Sequence, residues 1–576
     1  GKVRATMGNI LWQHVSERVE KALAKLGVEE FDVAGTIEVP PDPSLGDYAF
    51  PCFQLARILR KAPDRIAQEL AEELRPDGLI ERVDVVKAYI NFFLNRPAAC
   101  ERVVTEILSR GDEYGKSQIG SGKTVVLDFS SPNIAKPFHV GHLRSTIIGH
   151  SLARIFESLG YTTVRINHLG DWGTQFGKLI VAYRKFGRPE RLQQEPIREL
   201  LDLYVRFHQE AETNPALEDE ARAAFKALED GGEEETRLWS EFRRLSLQEF
   251  DRIYQRLGVH FDSHQGESAY NEAMEETVRL LEEKGLLTES EGALVVELEG
   301  LPACLIKKKD GATLYATRDL AAAIHRYERY QFDHLFYVVG APQQLHFQQV
   351  FGVLKKMGFP WVERCEHIAF GHIRLGDAQL STRRGNVIFL EDLLDQAVER
   401  VRAIIEERNP DLEDKEAIAE MVGVGAVIFN DLSHNRIKDI TFDWETALNF
   451  DGDTGPYVQY THARAASLLR RGEAEGLIQG RAIDVATGQL GEPEEFQLAK
   501  RLADYPQVVL RAAEEREPSE IARHLLDLCR DFNSFYHAHR ILGTPQAQGR
   551  LALVAATKQV IKSGLYLLGI EAPEAM

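Results

Sequence analysis

Thr124-Val125-Val126-Leu127-Asp128-Phe129-Ser130-Ser131-Pro132-Asn133-Ile134-Ala135-Lys136-Pro137-Phe138-His139-Val140-Gly141-His142 opens with an almost unbroken apolar run and closes on two histidines three residues apart. The run has the character of a strand buried on both faces of a parallel sheet. Helical periodicity follows from Leu143 to Leu159, then a second strand pattern from Thr162 to Ile166, so the segment reads as a β-α-β unit. In such sheets ligands sit beyond the carboxyl ends of the strands, and the next helix presents free N–H groups and partial positive charge to a phosphate. His139 and His142 fall on one side of the first helical turn, where both could donate to phosphate oxygens, and Gly141 lacks the Cβ that would hold a nucleotide off the backbone. Two histidines at a helix start also fit capping or core packing. Zinc would need further ligands at suitable spacing, and none is evident.

Outward from this unit, residues 185–290 are charge-rich and helical in period, with Leu200, Leu201, Tyr204 and Phe207 on one face, and read as a helical insertion. Strand patterns at 294–298, 303–307 and 334–340 suggest that the parallel sheet resumes after it. Upstream, helical patterns at 10–26, 52–60 and 64–74 and a strand pattern at 83–94 make an α+β domain. From Asp453 onward strand signals fade and helical patterns dominate. The expected fold class is α/β: a Rossmann-type parallel-sheet core with a helical insertion, an N-terminal α+β domain and an all-α C-terminal domain. The expected boundaries are 1–115, 116–375 with the insertion at about 185–290, a connecting region at 376–452, and 453–576.

The composition, 44% hydrophobic and 27% charged over 576 residues, is that of a globular protein and argues against extended disorder, collagen-like structure and membrane embedding. No apolar run reaches the roughly 18 residues that a spanning helix requires. The 69 Lys and Arg against 89 Asp and Glu leave a net charge of −20, a field that repels polyanions at long range. Any nucleic-acid contact must therefore rest on local positive charge, for which Lys307-Lys308-Lys309, Arg383-Arg384 and the arginines 464, 470 and 471 are candidates. Five scattered cysteines without a C-x-x-C pair fit a reduced, cytosolic setting. The N-terminal stretch lacks the apolar core of a secretory signal and carries Glu17 and Glu20, unlike a transit peptide, so a cytoplasmic location is expected.

The His-Val-Gly-His element resembles the H-I-G-H signature of class I aminoacyl-tRNA synthetases, and the longer string from Ser130 to His142 resembles their arginine-specific members. The resemblance spans essentially the whole chain. It implies formation of an arginyl-adenylate from L-arginine and ATP, with Mg²⁺ carried by ATP and no zinc, then transfer to the 3′-terminal ribose of tRNA(Arg). Lysine should be a poor substrate, because a site built from buried polar partners strongly rejects a side chain that leaves them unpaired. Leu380-Ser381-Thr382-Arg383-Arg384-Gly385-Asn386 stands where the family has K-M-S-K-S, but the second lysine is missing. Arg383 or Arg384 would then charge-stabilise the leaving pyrophosphate, Lys136 would compensate for the lost lysine, and Ser381, Thr382 and Gly371 would lie near ATP with His139, Gly141 and His142.

Selecting a planar guanidinium calls for fork-like acceptors. The resemblance assigns Tyr315 and Asp319, one helical turn apart, to that task, places Asp128, Ser131, Asn133 and His142 around the α-amino and carboxylate end or the guanidinium, and gives Gln343 a part in binding the amino acid. It likewise implies tRNA contacts at Tyr89 and Asn91 in the first domain and at Tyr457, Tyr460 and Arg464, at helical spacing, in an anticodon-binding last domain. The aromatic faces and the guanidinium would meet splayed loop bases, although an amphipathic core stripe has the same spacing. Two further blocks match the family, Asn167 to Gly177 and Gly266-Glu267-Ser268; glycine-dependent packing would account for them equally, and no catalytic role is assigned to either. A monomer that makes no membrane contact is expected. A class I enzyme of another specificity and a non-catalytic synthetase-like RNA-binding protein stay open on this reading.

Overall fold

A computed structural model describes residues 8–312, 314–376, 389–478 and 490–576. Two compact units are present: Gly1–Lys116 with Ile404–Val422 and Asn449–Met576, and Ser117–Ala403 with Gly423–Leu448.

The first unit begins with α1 (Ile10–Lys25), capped by Asn9, whose side-chain oxygen accepts the N–H groups of Leu11 and Trp12 at 2.9 Å. Strands β1 (Tyr48–Pro51), β2 (Ile80–Val86) and β3 (Tyr89–Leu94) form an antiparallel sheet in the order β1-β3-β2, followed by α2 (Arg96–Arg110). The single strand expected at 83–94 is thus two strands, folded back at Lys87 and Ala88. Lys87 adopts a positive φ of 54° without the glycine or asparagine that announces such a turn.

The second unit is built on the expected parallel sheet. Its strands are β4 (Thr124–Asp128), β5 (Thr162–Ile166), β9 (His334–Gly340) and β10 (Cys365–Phe370), ordered β10-β9-β4-β5 with every pair parallel. Between β4 and β5 runs α3 (Val140–Ser158), buried on nearly every side, polar residues such as Arg144, Thr146, His150 and Ser151 included. Its Gly149 lies so close to the end of β4 that an added Cβ would stand 2.2 Å from Phe129 Cγ. Gly149→Ala is therefore expected to cost about 1–3 kcal/mol of stability by overpacking, read as a lowered urea midpoint at unchanged slope. After β5 come the helices of the insertion, chiefly α4 (Gln175–Phe186), α5 (Pro196–Thr213), α6 (Ala216–Glu229) and α7 (Glu233–Leu257).

The strand patterns at 294–298 and 303–307 do not rejoin the parallel sheet. They are β7 (Ala293–Leu298) and β8 (Leu301–Lys307), which with β6 (Thr288–Ser290) make a separate antiparallel sheet. The reason is connection length: a two-residue link, here containing Gly300 at φ 73°, can only reverse the chain, whereas a parallel neighbour needs a crossover of a dozen residues or so. The crossover to β9 is supplied by α8 (Tyr315–Tyr330), and α9 (Gln344–Lys356) follows β9. Because β5 and β9 flank β4 on opposite sides, the strand order reverses at β4, and the crevice beyond its carboxyl end is the place where such sheets bind ligands.

The chain returns to the first unit with helices α10 (Gly455–Ala474), α11 (Pro493–Ala503), α12 (Tyr505–Glu515), α13 (Ser519–Ala538) and α14 (Ala547–Leu567). Among the described residues no helix is long and apolar enough to cross a membrane.

Candidate active site

The loop joining β4 to α3 holds three non-glycine residues at positive φ, Ser130 (72°), Ser131 (51°) and Ala135 (64°). Such residues cost about 1–3 kcal/mol each and persist only where surrounding contacts over-determine them. Those contacts are present. Ser130 N–H donates to Ser145 Oγ at 2.8 Å, Ser131 N–H to Asn167 Oδ1 at 3.0 Å, and Ala135 N–H to Ser246 Oγ at 2.9 Å. Asn133 and Gly170 pair as a parallel bridge, with Ile134 N–H on Gly170 O at 3.1 Å and Gly170 N–H on Pro132 O at 3.0 Å. A chain of polar groups, Asn167 Nδ2, Tyr254 Oη, Ser130 Oγ and Thr146 Oγ1, ends on the His142 carbonyl with successive separations of 3.1, 2.6, 2.8 and 2.8 Å.

This loop delivers His139 and His142 as the N-cap and third residue of α3, their rings stacked 4.1 Å apart. His139 Nδ1 accepts the Gly141 N–H at 3.0 Å, and His142 Nδ1 accepts the His139 N–H at 3.4 Å. Both Nδ1 atoms being acceptors, each neutral ring carries its proton on Nε2. Desolvation favours the neutral rings: it lowers the pKa of His139, although that residue stays solvent-exposed, and, reinforced by His139, lowers that of the half-buried His142 to about 3. The site therefore offers two uncharged Nε2–H donors at the start of a 19-residue helix. Gly141 makes this geometry possible, since its added Cβ would lie 2.7 Å from His139 Cε1. The space left by its missing side chain is taken by the His139 ring, which is a different reason for the glycine than close approach of a nucleotide. Lys136 is exposed in the same loop.

Tyr315 and Asp319 occupy the first two turns of α8, Tyr315 being 68% exposed. Asp319 Oδ2 sits 2.5 Å from His346 Nε2 at the start of α9, and Gln343 is exposed in the short turn between β9 and that helix. A second carboxylate comes from Glu267. Burial pushes its pKa up to about 7, against the pull of Arg318 and with Asp171 and Asp319 adding to the rise. Arg318 Nη1 donates to the Glu267 carbonyl and, at 2.9 Å, to Asn271 Oδ1. The sequence displayed Glu267 only as part of a glycine-bounded block; its neighbourhood to Asp319 is a product of the fold.

Asp128 is already engaged. Its Oδ2 stands 2.9 Å from Nη1 of the fully buried Arg326, and its Oδ1 accepts the Ser131 hydroxyl at 3.0 Å. Gly371 is closely packed: an added Cβ would stand 2.6 Å from the Lys438 carbonyl, and its own carbonyl accepts Arg144 Nη1 at 2.8 Å. Arg144 in turn forms a buried pair with Asp431 at 3.2 Å. Ser381, Thr382, Arg383 and Arg384 lie outside the described residues, but Phe389 just beyond them pairs with His139, and Leu390 N–H donates to Phe138 O at 2.9 Å.

In the other unit, Arg464 on α10 has its guanidinium over Tyr460 at 5.2 Å and over Tyr536 of α13 at 4.4 Å, with Nη1 held by Asn533 Oδ1 at 2.9 Å. Asn533 also donates to Tyr457 Oη at 3.0 Å, leaving Tyr457 half-buried and Tyr460 at the surface. Tyr536 and Asn533 carried no signal in the sequence, since α13 reads as an ordinary amphipathic helix. On β3, Tyr89 meets the exposed ring of Phe53 edge-on at 5.5 Å, while Asn91, on the same strand face, is buried.

Comparison with known proteins identifies the family. Residues 103–444 match the profile of the class I (R) tRNA synthetase catalytic domain, 458–576 that of the DALR anticodon binding domain, and 13–94 that of the arginyl tRNA synthetase N-terminal domain. The arginine–tRNA ligase of Clostridium perfringens is 49% identical over 567 residues, covering 98% of this chain and 99% of that protein. That of Clostridium beijerinckii is 50% identical over 579 residues, covering all of both chains. The solved structure of Thermus thermophilus arginyl-tRNA synthetase superposes with a TM-score of 0.78 at 29% identity, covering 98% of this chain and all of that one. The chain belongs to the arginyl-tRNA synthetase family of class I enzymes.

Proposed function

We infer that this chain joins L-arginine to its tRNA in two steps at the carboxyl edge of the parallel sheet, each residue named below acting as stated. In the first step an arginine carboxylate oxygen attacks the α-phosphorus of ATP, the bond to pyrophosphate breaks, and arginyl-adenylate forms. In the second a terminal ribose hydroxyl attacks the activated carbonyl and AMP leaves. The protein supplies no covalent nucleophile, so catalysis is positioning and electrostatic stabilisation. The neutral Nε2–H groups of His139 and His142 donate to phosphate oxygens as charge develops, with Lys136, Arg383 and Arg384 assisting the pyrophosphate. Mg²⁺ enters with ATP.

The observation that carries the amino-acid assignment is the pair of carboxylates, Asp319 and Glu267, near enough for Asp319 to raise the Glu267 pKa, with Tyr315 one turn before Asp319 on α8. A guanidinium lying against that wall meets acceptors in its own plane, which an ammonium cannot use bidentately. Ser131, Asn133 and Gln343 serve the α-amino and carboxylate end, and Asp128 acts there by holding Ser131. Charging of total tRNA with radiolabelled arginine, and not lysine, is the direct test.

The raised pKa of Glu267 makes both stability and arginine binding depend on pH. Without ligand the group favours its protonated form, so its contribution to stability is full below the ordinary carboxylate range and is lost as pH rises through about 7. Its facing charges are Arg318, Asp319 and Tyr315 from α8 and Asp171 from the turn after β5. Binding a guanidinium requires the ionised form, so arginine should bind about tenfold tighter at pH 8 than at pH 6, with release of a proton. Calorimetry in buffers of different ionisation enthalpy reads that proton; a pH-independent affinity would remove Glu267 from the pocket.

For tRNA, the exposed Tyr460 and the Arg464–Tyr536 stack offer faces on which anticodon-loop bases can lie, and Tyr89 with Phe53 offers a second aromatic contact. Loss of a stacking partner costs about 1–3 kcal/mol per base. Arg464→Ala should therefore raise the KM for tRNA at least about fivefold; an unchanged KM would return α10 to a packing role.

A further inference from the structure

The block from Asn167 to Gly177 is the one motif to which the reaction as described gives no work, and its Asp171 is among the most heavily bonded side chains in the sheet unit. The carboxylate is fully buried. Oδ1 accepts the Ser268 N–H at 2.8 Å, while Oδ2 accepts the Ser268 hydroxyl at 2.9 Å and Arg243 Nε from α7 at 3.0 Å. Its own carbonyl accepts the Trp239 indole N–H at 2.8 Å, and the second Arg243 nitrogen closes the ring on His264 O at 2.7 Å. One residue before Ser268, Glu267 N–H donates to Leu169 O at 2.9 Å. Gly266 admits the approach, since its added Cβ would stand 2.3 Å from Leu169 O and 2.8 Å from Asp171 Oδ1. The same turn grips the other side of the site through the Asn133–Gly170 bridge.

We propose that Asp171, held by Arg243, is a positioning residue for arginine selection: it fixes the Gly266–Ser268 segment so that the Glu267 carboxylate faces Asp319 across the guanidinium pocket. The proposal rests on the reading of Glu267 as a guanidinium acceptor. Asp171 does not touch substrate. It acts through Ser268 on the preceding residue, Glu267, while its own charge is neutralised by Arg243; the Glu267 carboxylate, 4.0 Å from Arg318 Nε, turns from that partner to the substrate. Asp171→Asn would keep the shape but turn one acceptor into an N–H₂ group facing donors, and would take from the partly exposed Arg243 its buried carboxylate partner.

The test is steady-state exchange kinetics on the full chain for Asp171→Asn, Ser268→Ala, Arg243→Lys and Glu267→Gln, with active sites titrated so that misfolded enzyme is discounted. Asp171→Asn should raise the KM for arginine at least tenfold while the KM for ATP stays within twofold. Ser268→Ala, which removes one bond and spares the fold, should raise it about threefold, and Arg243→Lys should fall between wild type and Asp171→Asn. If Glu267→Gln raises the arginine KM but Asp171→Asn and Ser268→Ala do not, the positioning role is wrong and the pocket reading stands. If Glu267→Gln leaves the arginine KM unchanged, the pocket reading itself fails. Equal rises in the KM values for ATP and arginine would mean that Asp171 merely maintains the fold, which also overturns the proposal.

Discussion

Replacing His142 with alanine should slow arginine-dependent pyrophosphate exchange by about 10² to 10³ at saturating substrates, the usual cost of removing one preorganised donor from a developing oxyanion. The effect belongs in kcat, because the donor meets its strongest partner only when charge accumulates on the α-phosphate. The structure gives a reason to expect the upper part of that range. His142 is fixed from three sides: its Nδ1 is occupied by the His139 N–H, its ring stacks on His139, and its carbonyl ends the polar chain through Thr146, Ser130 and Tyr254. His142→Asn, which retains an N–H donor, should recover part of the loss. The burial that lowers the His142 pKa to about 3 also has a stability consequence: the neutral ring is accommodated above the ordinary histidine value of 6.5, and stability is lost as pH falls from there toward 3. The alanine variant should lose less stability over that interval. Turnover unchanged in His142→Ala would remove the histidine pair from the chemistry.

Asp319→Asn should reduce kcat/KM for arginine by about 10²-fold, with KM for ATP little changed. Taking away one partner of a desolvated charge pair costs about 3–5 kcal/mol, and the partial exposure of Asp319 places it at the low end. Discrimination against lysine should shrink as well, since the amide can no longer accept two guanidinium N–H groups. His346, 2.5 Å from the carboxylate, supplies the orientation, so His346→Ala should show a smaller loss in the same direction. An Asp319→Asn enzyme with an unaltered arginine KM would place the guanidinium elsewhere.

The sequence announced the parts of the site that are local. Ser130 to His142 is a strand end, a loop and a helix start, and both the buried strand and the stacked histidines follow from residues within one helical turn of each other. Tyr315 and Asp319 share a helix face for the same reason. The parts assembled across the chain were not legible. Glu267 becomes a neighbour of Asp319 through a segment that Leu169 and Asp171, about 100 positions earlier, hold in place. The Asp128–Arg326 pair joins a strand end to a helix nearly 200 residues later, and Tyr536 meets Arg464 across two helices of the last domain. In the fold, helices with strong periodicity were readable, whereas the Lys87 reversal has no turn residue to announce it, and the β7–β8 hairpin was signalled only by the short link at Gly300.

The most direct test of the account is ATP–pyrophosphate exchange with L-arginine, L-lysine and L-glutamine in turn, each with and without total tRNA. Exchange with arginine alone is the expected result, and its appearance only on addition of tRNA would further tie activation to tRNA binding. Exchange driven equally by lysine or glutamine, or none under any condition from folded protein, would contradict the proposed roles of Asp319 and Glu267 as guanidinium acceptors and of the two neutral histidines as phosphate donors.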